Sequence, residues 1–133
     1  MEIKSYDPIK VNLNVDGRTI TGYADSSMIT IAQGEDLVTP TVGAQGDVVY
    51  SESANESGTM TISLQTTSAS LPYLKDIAKQ RKQVSVLLND ANSDTAEIVR
   101  SSRCRVTKVP DVKKEKAAGS VDITIFMPKI EYR

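Results

Sequence analysis

The chain has 133 residues, a formal net charge of −1, one Cys, no His and no Trp, enough for one hydrophobic core and too few for two. Without His and with a single thiol, histidine catalysis, Cys–His pairs, most zinc sites and any intrachain disulfide drop out, so composition points away from an enzyme. Charge is unevenly spread: residues 1–74 hold three bases and nine acids, and residues 75–133 thirteen bases and eight acids. That polarity suits either self-association through complementary faces or simple mixing on one surface. No apolar run reaches membrane-spanning length and residues 1–10 lack a signal-peptide core, so a soluble chain with no membrane segment is expected.

Thirteen Val, eleven Ile and twelve Thr against seven Leu favour strands over helices. Residues 10–15 alternate, with Val11, Leu13 and Val15 on one face. Asp16-Gly17 then calls for a tight hairpin turn, because both central positions want φ above zero. Residues 18–23 read as the returning strand, 24–27 as a turn and 28–33 as a third strand with Ile29 and Ile31 on one side, the three forming a meander. Residues 34–46 differ, with three Gly, one Pro and no clear period, which predicts a long functional loop. Residues 47–52 resume a strand, and 59–65 alternate with Met60, Ile62 and Leu64 inward.

One helix is expected over residues 70–81. Ser70 serves as its N-cap, Pro72 lies in its first turn, and Leu71, Leu74, Ile77 and Ala78 form one apolar stripe. Residues 83–89 follow as a strand, and 96–109 as one bent strand or two short ones, with Cys104 and Val106 on the face opposite Arg103, Arg105 and Thr107. Residues 111–119 form a charged connection, 121–127 the last strand, and Pro128 onward a short tail. Eight or nine strands with one helix make a mainly β domain, a β-sandwich or closed barrel with the helix on its flank.

Few groups could carry chemistry. Asp90, Asn92 and Asp94 alternate like the front of a calcium loop but lack its Gly and distal Glu, so a solvated turn is the better reading. Cys104 reads as a packing residue, since alternation sends the flanking arginines the other way. Arg100, Arg103, Arg105 and Lys108, with Lys113, Lys114 and Lys116, concentrate positive charge. Without interleaved aromatics, that patch suits a solvated or partner-facing surface better than nucleic acid.

Residues 15–25 (with Asp16-Gly17 and Gly22-Tyr23), 39–48 (with Thr39-Pro40 and Gly43-Ala44-Gln45-Gly46), 58–62 and 68–74 together resemble the small tail tube proteins of long-tailed phages and related phage-tail-like bacteriocins, above all those of contractile-tailed systems. The resemblance covers most of the chain and thins after Asn89. It implies a single tail-tube-like domain over 1–133, forming hexameric rings that stack into a tube in the virion tail, after assembly in the host cytoplasm. It also implies partners in the tail sheath, baseplate and tail terminator, DNA passing through the lumen without specific binding, and no active site, metal or cofactor.

On that reading the loop over 34–46 reaches neighbouring subunits through Leu37, Val38, Pro40, Val42, Gly43 and Gln45. A basic bore would hold DNA by counterion release, so Asp47, Ser51, Glu52 and Glu56 are expected to face the lumen. Lys75, Lys79, Lys82, Lys113, Lys114 and Lys116 would then face outward or toward the next ring. Two alternatives stand beside the phage tube. One is the tube of a contractile bacteriocin or type VI secretion-like device that passes no DNA. The other is a monomeric β-sandwich ligand-binding module.

Overall fold

Alternating apolar and polar side chains account for nearly every strand in the computed structural model, which describes residues 3–25, 28–92, 96–112, 114–117 and 119–133. A one-turn 3-10 helix at Pro8–Lys10 leads into β1 (Val11–Val15) and β2 (Arg18–Thr19), followed by β3 (Ile29–Gln33), β4 (Val38–Val42), β5 (Val48–Glu52) and β6 (Gly58–Gln65). The helix α1 (Ser70–Gln80) precedes β7 (Val84–Asp90), β8 (Glu97–Val106), β9 (Ser120–Met127) and β10 (Glu131–Tyr132). The expected positions Ser26, Ser27, Asp94 and Lys113 lie outside the described residues.

β8 makes the sandwich. Its first half pairs with β7 on one side and β10 on the other, while Arg105 and Val106 at its far end pair with β9. Between them Ser102 and Arg103 are both exposed, Arg103 has φ 59°, and the register skips from Val86↔Ser101 to Val84↔Cys104. Two residues thus oppose the single Ser85, a β-bulge that bends the strand and restores the inward parity of Cys104 and Val106. The first layer runs β2-β1-β7-β8 with β10 beside β8, and the second runs β8-β9-β6-β3. Leu13, Val15, Val86 and Val99 from one layer and Met60, Ile62, Leu64, Ile123 and Ile125 from the other share one core.

The first strands do not form the expected meander. Asp16 and Gly17 have φ 53° and 85°, as the tight turn requires, but β2 stops after two residues. The chain then crosses to the second layer, where Tyr23 bridges Leu64 and β3 pairs with β6. Gly22, at φ 79°, permits the crossing, since a Cβ there would run into Ser68. The Thr21 amide donates to Ser70 Oγ (3.0 Å) and the Ser68 hydroxyl donates to the Thr21 carbonyl (2.6 Å), pinning the crossover to the start of α1. Ser70 is therefore inside the helix, and the N-cap position falls on Ala69, which makes no side-chain cap.

The helix buries Leu71, Leu74, Ile77 and Ala78 against the core, as its stripe predicts. Arg81 closes it in the left-handed region at φ 54°, and Tyr73 donates from its hydroxyl to the Val15 carbonyl (3.0 Å), tying helix to first layer. Two further corrections concern chain segments read as irregular. The tail after Pro128 forms β10, which covers the edge that β9 leaves free, and residues 34–46 contain β4, paired with β5 as a separate two-stranded sheet.

The Tyr23 hydroxyl is buried without a hydrogen-bond partner among the described residues, and burial pushes its pKa up to about 12. A folded pKa above the unfolded value near 10 means that stability held by the neutral phenol is intact below about pH 10 and lost as pH rises through about 12. Tyr23→Phe removes both the orphaned hydroxyl and that loss. Urea unfolding should show the variant unchanged or stabilised by about 1 kcal/mol at neutral pH and clearly more resistant near about pH 11. A comparable loss of stability at neutral pH would mean that the hydroxyl is satisfied after all.

Candidate assembly surface

The β4–β5 hairpin is an arm that stands apart from the core. Every residue of both strands is exposed and none belongs to the core cluster. Its base continues the β3–β6 pair: the Gly34 amide donates to the Ser57 carbonyl and the Ser53 amide to the Leu37 carbonyl (both 2.9 Å). The Ser53 hydroxyl also donates to the Glu35 carboxylate. At the tip the Gly43 amide donates to the Asp47 carbonyl (2.7 Å) and the Gly46 amide to the Gly43 carbonyl (3.0 Å), with Gly46 at φ 91°. Pro40 lacks a donor, which an edge strand tolerates.

Register gives the arm two unlike faces. Val38 lies opposite Glu52, Pro40 opposite Tyr50 and Val42 opposite Val48; between these rows Thr39 faces Ser51 and Thr41 faces Val49. Because side chains alternate across a strand, Val38, Pro40, Val42, Val48 and Tyr50 share one apolar face, with Glu52 at its root. The other face carries Thr39, Thr41, Ser51 and Val49. Val42 and Tyr50 are 67% and 68% exposed. A contiguous apolar strand face in water is a pairing hazard unless another surface covers it.

The residues expected in the long loop therefore divide. Val38, Pro40 and Val42 gather on the apolar face, Leu37 sits at the arm's root, and Gly43 and Gln45 form the tip. Val48 and Tyr50 complete the face; sequence alternation placed them in a strand but did not name its partner. The acidic set is not brought together either. Asp47 is in the tip turn, Ser51 and Glu52 point to opposite faces, and Glu56 lies beyond the root, paired with Lys129 (3.6 Å).

The basic residues also separate. Lys75 and Lys79 lie on α1, half-buried and exposed respectively. Lys82 is ion-paired to Asp16 at 2.8 Å, and that hydrogen bond and charge push its pKa above the usual lysine value. Lys114 and Lys116 line a shallow polar cavity of about 450 Å³ with Thr66, Thr67 and Ser120. Arg100, on the outer side of the first layer, pairs with Glu131 at 2.9 Å. Arg105 lies on the second layer beside Phe126, its Nη2 donating to the Arg81 carbonyl (3.1 Å).

The solvent face of the second layer is nearly uncharged. The rows Thr30–Thr61–Thr124 and Ala32–Thr59–Phe126 cross β3, β6 and β9, and Ser63 donates to its neighbour Asp122 (2.7 Å). Alternation over residues 59–65, with Met60, Ile62 and Leu64 inward, leaves Thr59, Thr61 and Ser63 outward, yet does not show that they form one surface with Thr30 and Thr124. Cys104 is fully buried, and burial pushes its thiol up, so it packs as expected. Asp90 accepts from the Asn92 amide (3.0 Å) and Nδ2, a local turn, and the described residues hold no cluster of three or more metal-binding side chains.

The family model for the bacteriophage PhiTE tail tube protein matches residues 15–133, spanning the arm, α1 and both layers. The chain belongs to this tail tube family. It is a structural subunit of a tail tube, in keeping with the resemblance carried by its sequence. No curated protein matches it by sequence. Among solved structures it is similar to the anti-feeding prophage tube-terminating cap, at 8% identity over 100% of this chain and 94% of that one, with a TM-score of 0.61. It is also similar to a chain of the sheath–tube complex of the PVC extracellular contractile injection system, at 10% identity over 93% of this chain and 88% of that one, with a TM-score of 0.59. A chain of the PVC sheath/tube terminator covers 99% of both chains at 10% identity and a TM-score of 0.58. At these identities the likeness is one of fold.

Because the arm makes no contribution to the core, Val42→Asp with Tyr50→Ser should change the unfolding free energy of the isolated chain by less than about 0.5 kcal/mol. Urea denaturation checks this. A loss of several times that amount would show that the arm packs on its own subunit.

Proposed function

We propose that this tail tube subunit closes into hexameric rings, that the rings stack, and that the resulting tube conducts the phage genome without specific binding. The observation that carries the reading is the apolar face of the arm, left open in a single copy of a chain whose family builds tubes. Covering Val42, Val48 and Tyr50 with a second copy would remove apolar area worth roughly 25 cal/mol per Å² from water. Leu37 and Val38 extend the same contact toward the root, and Gly43 and Gln45 let the tip approach closely.

The hydroxyl-rich face of the second layer suits the bore. Threonine and serine hydroxyls hydrate well and offer DNA no counterion release; Asp122 repels phosphate, and the one guanidinium in these rows, Arg105, sits at the β8 edge, held by the Arg81 carbonyl. Asp47, Ser51, Glu52 and Glu56 lie on or beside the arm, and on this reading its three carboxylates serve the contacts of the arm. Lys75 and Lys79 on the helix, with Lys114 and Lys116, are then available to a sheath on the outside; baseplate and terminator would meet the two ends. The subunit turns over no substrate and needs no cofactor.

Negative-stain microscopy with light scattering tests the polymer. The chain assembled on its own tail's baseplate should give six-copy rings stacked around an open channel, whereas persistent monomers there would contradict the reading. The bore has its own test. Thr61→Lys with Thr124→Lys should leave tubes intact but slow DNA passage, more strongly at low salt. Wild-type ejection rates at every salt concentration would remove this face from the bore.

A further inference from the structure

A second surface on the same chain matches the arm in both shape and charge. The C-terminal end of α1 and the adjoining ends of β8 and β9 enclose an open groove of about 580 Å³, lined by Ala78, Arg81, Arg105, Lys108, Val109 and Phe126. Phe126, the only Phe of the chain, is 40% exposed there, and Val109 is 41% exposed. The Arg105 guanidinium is held at the helix end by the Arg81 carbonyl, where the negative end of the helix dipole favours a cation. Lys108, paired with Asp111 at 3.2 Å, adds a partly neutralised charge. The groove is thus an apolar floor with a basic rim.

The arm is its counterpart. Residues 34–57 contain Glu35, Asp36, Asp47, Glu52 and Glu56 and no Lys or Arg, around the apolar face of Pro40, Val42, Val48 and Tyr50. Resting on the tube reading above, we propose that the arm of one copy seats in this groove of a second copy, Tyr50 and the valines on Phe126 and Val109, the arm's carboxylates beside Arg81, Arg105 and Lys108.

Topology makes the contact intermolecular and directional. The arm springs from β3 and β6, and the groove lies at β8, on the opposite edge of the same layer, three strand positions away or about 14 Å. Both lie toward the same end of the strands: the row Ala32–Thr59–Phe126–Arg105 is next to the row Gln33–Gly58–Met127 from which the arm departs. Copies set side by side therefore present arm to groove head to tail. A heterologous contact of this kind closes into a ring when its rotation allows, and its charge complementarity fixes partner and register.

Charge reversal tests the pairing. Asp47→Lys with Glu52→Lys on the arm, or Arg105→Glu with Lys108→Glu in the groove, should each cut assembly at least tenfold. All four changes in one chain should restore most of it. A groove pair that assembles like the wild type, or a fourfold variant no better than either pair, overturns the docking. Should the groove pair fail to fold, disulfide trapping decides. Oxidised assemblies of Tyr50→Cys with Val109→Cys should run as a ladder of covalent multimers, and those of Tyr50→Cys with Leu87→Cys, on the outer side of the first layer, should not. Intact rings without the first ladder sink the docking alone; a wild-type chain that forms no rings on its own tail's baseplate sinks the ring reading with it.

Discussion

A two-stranded hairpin has no core of its own. Isolated in water it is marginal, and this one turns five apolar side chains to a single face that none of the described residues of its own subunit buries. The arm is nonetheless well specified: alternation, a Gly43–Asp47 tip and amide bonds at its root fix the register. A segment that is locally ordered and globally unsatisfied has its completion in another molecule. The remaining architecture can be understood as the means of holding that arm at a defined place and giving it a surface to meet.

The body does this through a few local devices. The bulge at Ser102 and Arg103 folds one long sheet into two layers, so β8 belongs to both. That bend also carries Arg105 to the end of α1, where the helix carbonyl holds it. The crossover at Gly22, locked by Ser68 and Ser70, moves β3 out of the first layer to pair with β6. Without that move the β3–β6 pair, and hence the arm, would not lie on the layer whose opposite edge carries the groove. Gly58 at the arm's root is demanded by the close approach of the Ala32 carbonyl and Ile130. Between arm and groove, the layer's solvent face stays hydroxylated and nearly neutral, in line with the bore proposed for it.

Much of this was legible in the chain itself. Met60, Ile62 and Leu64 and the helix stripe of Leu71, Leu74, Ile77 and Ala78 read directly, because local periodicity and burial agree there. Asp16-Gly17 announced its turn for the same reason. What did not read was set by distant pairing. β4 was hidden because Pro40 and the flanking glycines weaken any strand signal, and its only partner among the described residues is β5. The route of β3 depended on a positive φ at Gly22, and a Gly alone does not say where the chain goes next. Asp47, Ser51, Glu52 and Glu56 are near in sequence, but sequence does not say which face each takes; the hairpin register sends Ser51 and Glu52 to opposite faces. Arg105 and Phe126, by contrast, lie 21 residues apart and meet only through the β8–β9 register.

Burial of the arm on assembly is the claim on which the rest turns, and amide hydrogen exchange reads it most directly. Exchange compared between the free subunit and assembled tubes should show strong new protection across Val38–Val42 and Val48–Glu52, together with residues 105–109 at the groove. An arm that exchanges as fast in the tube as in the free chain would contradict the account.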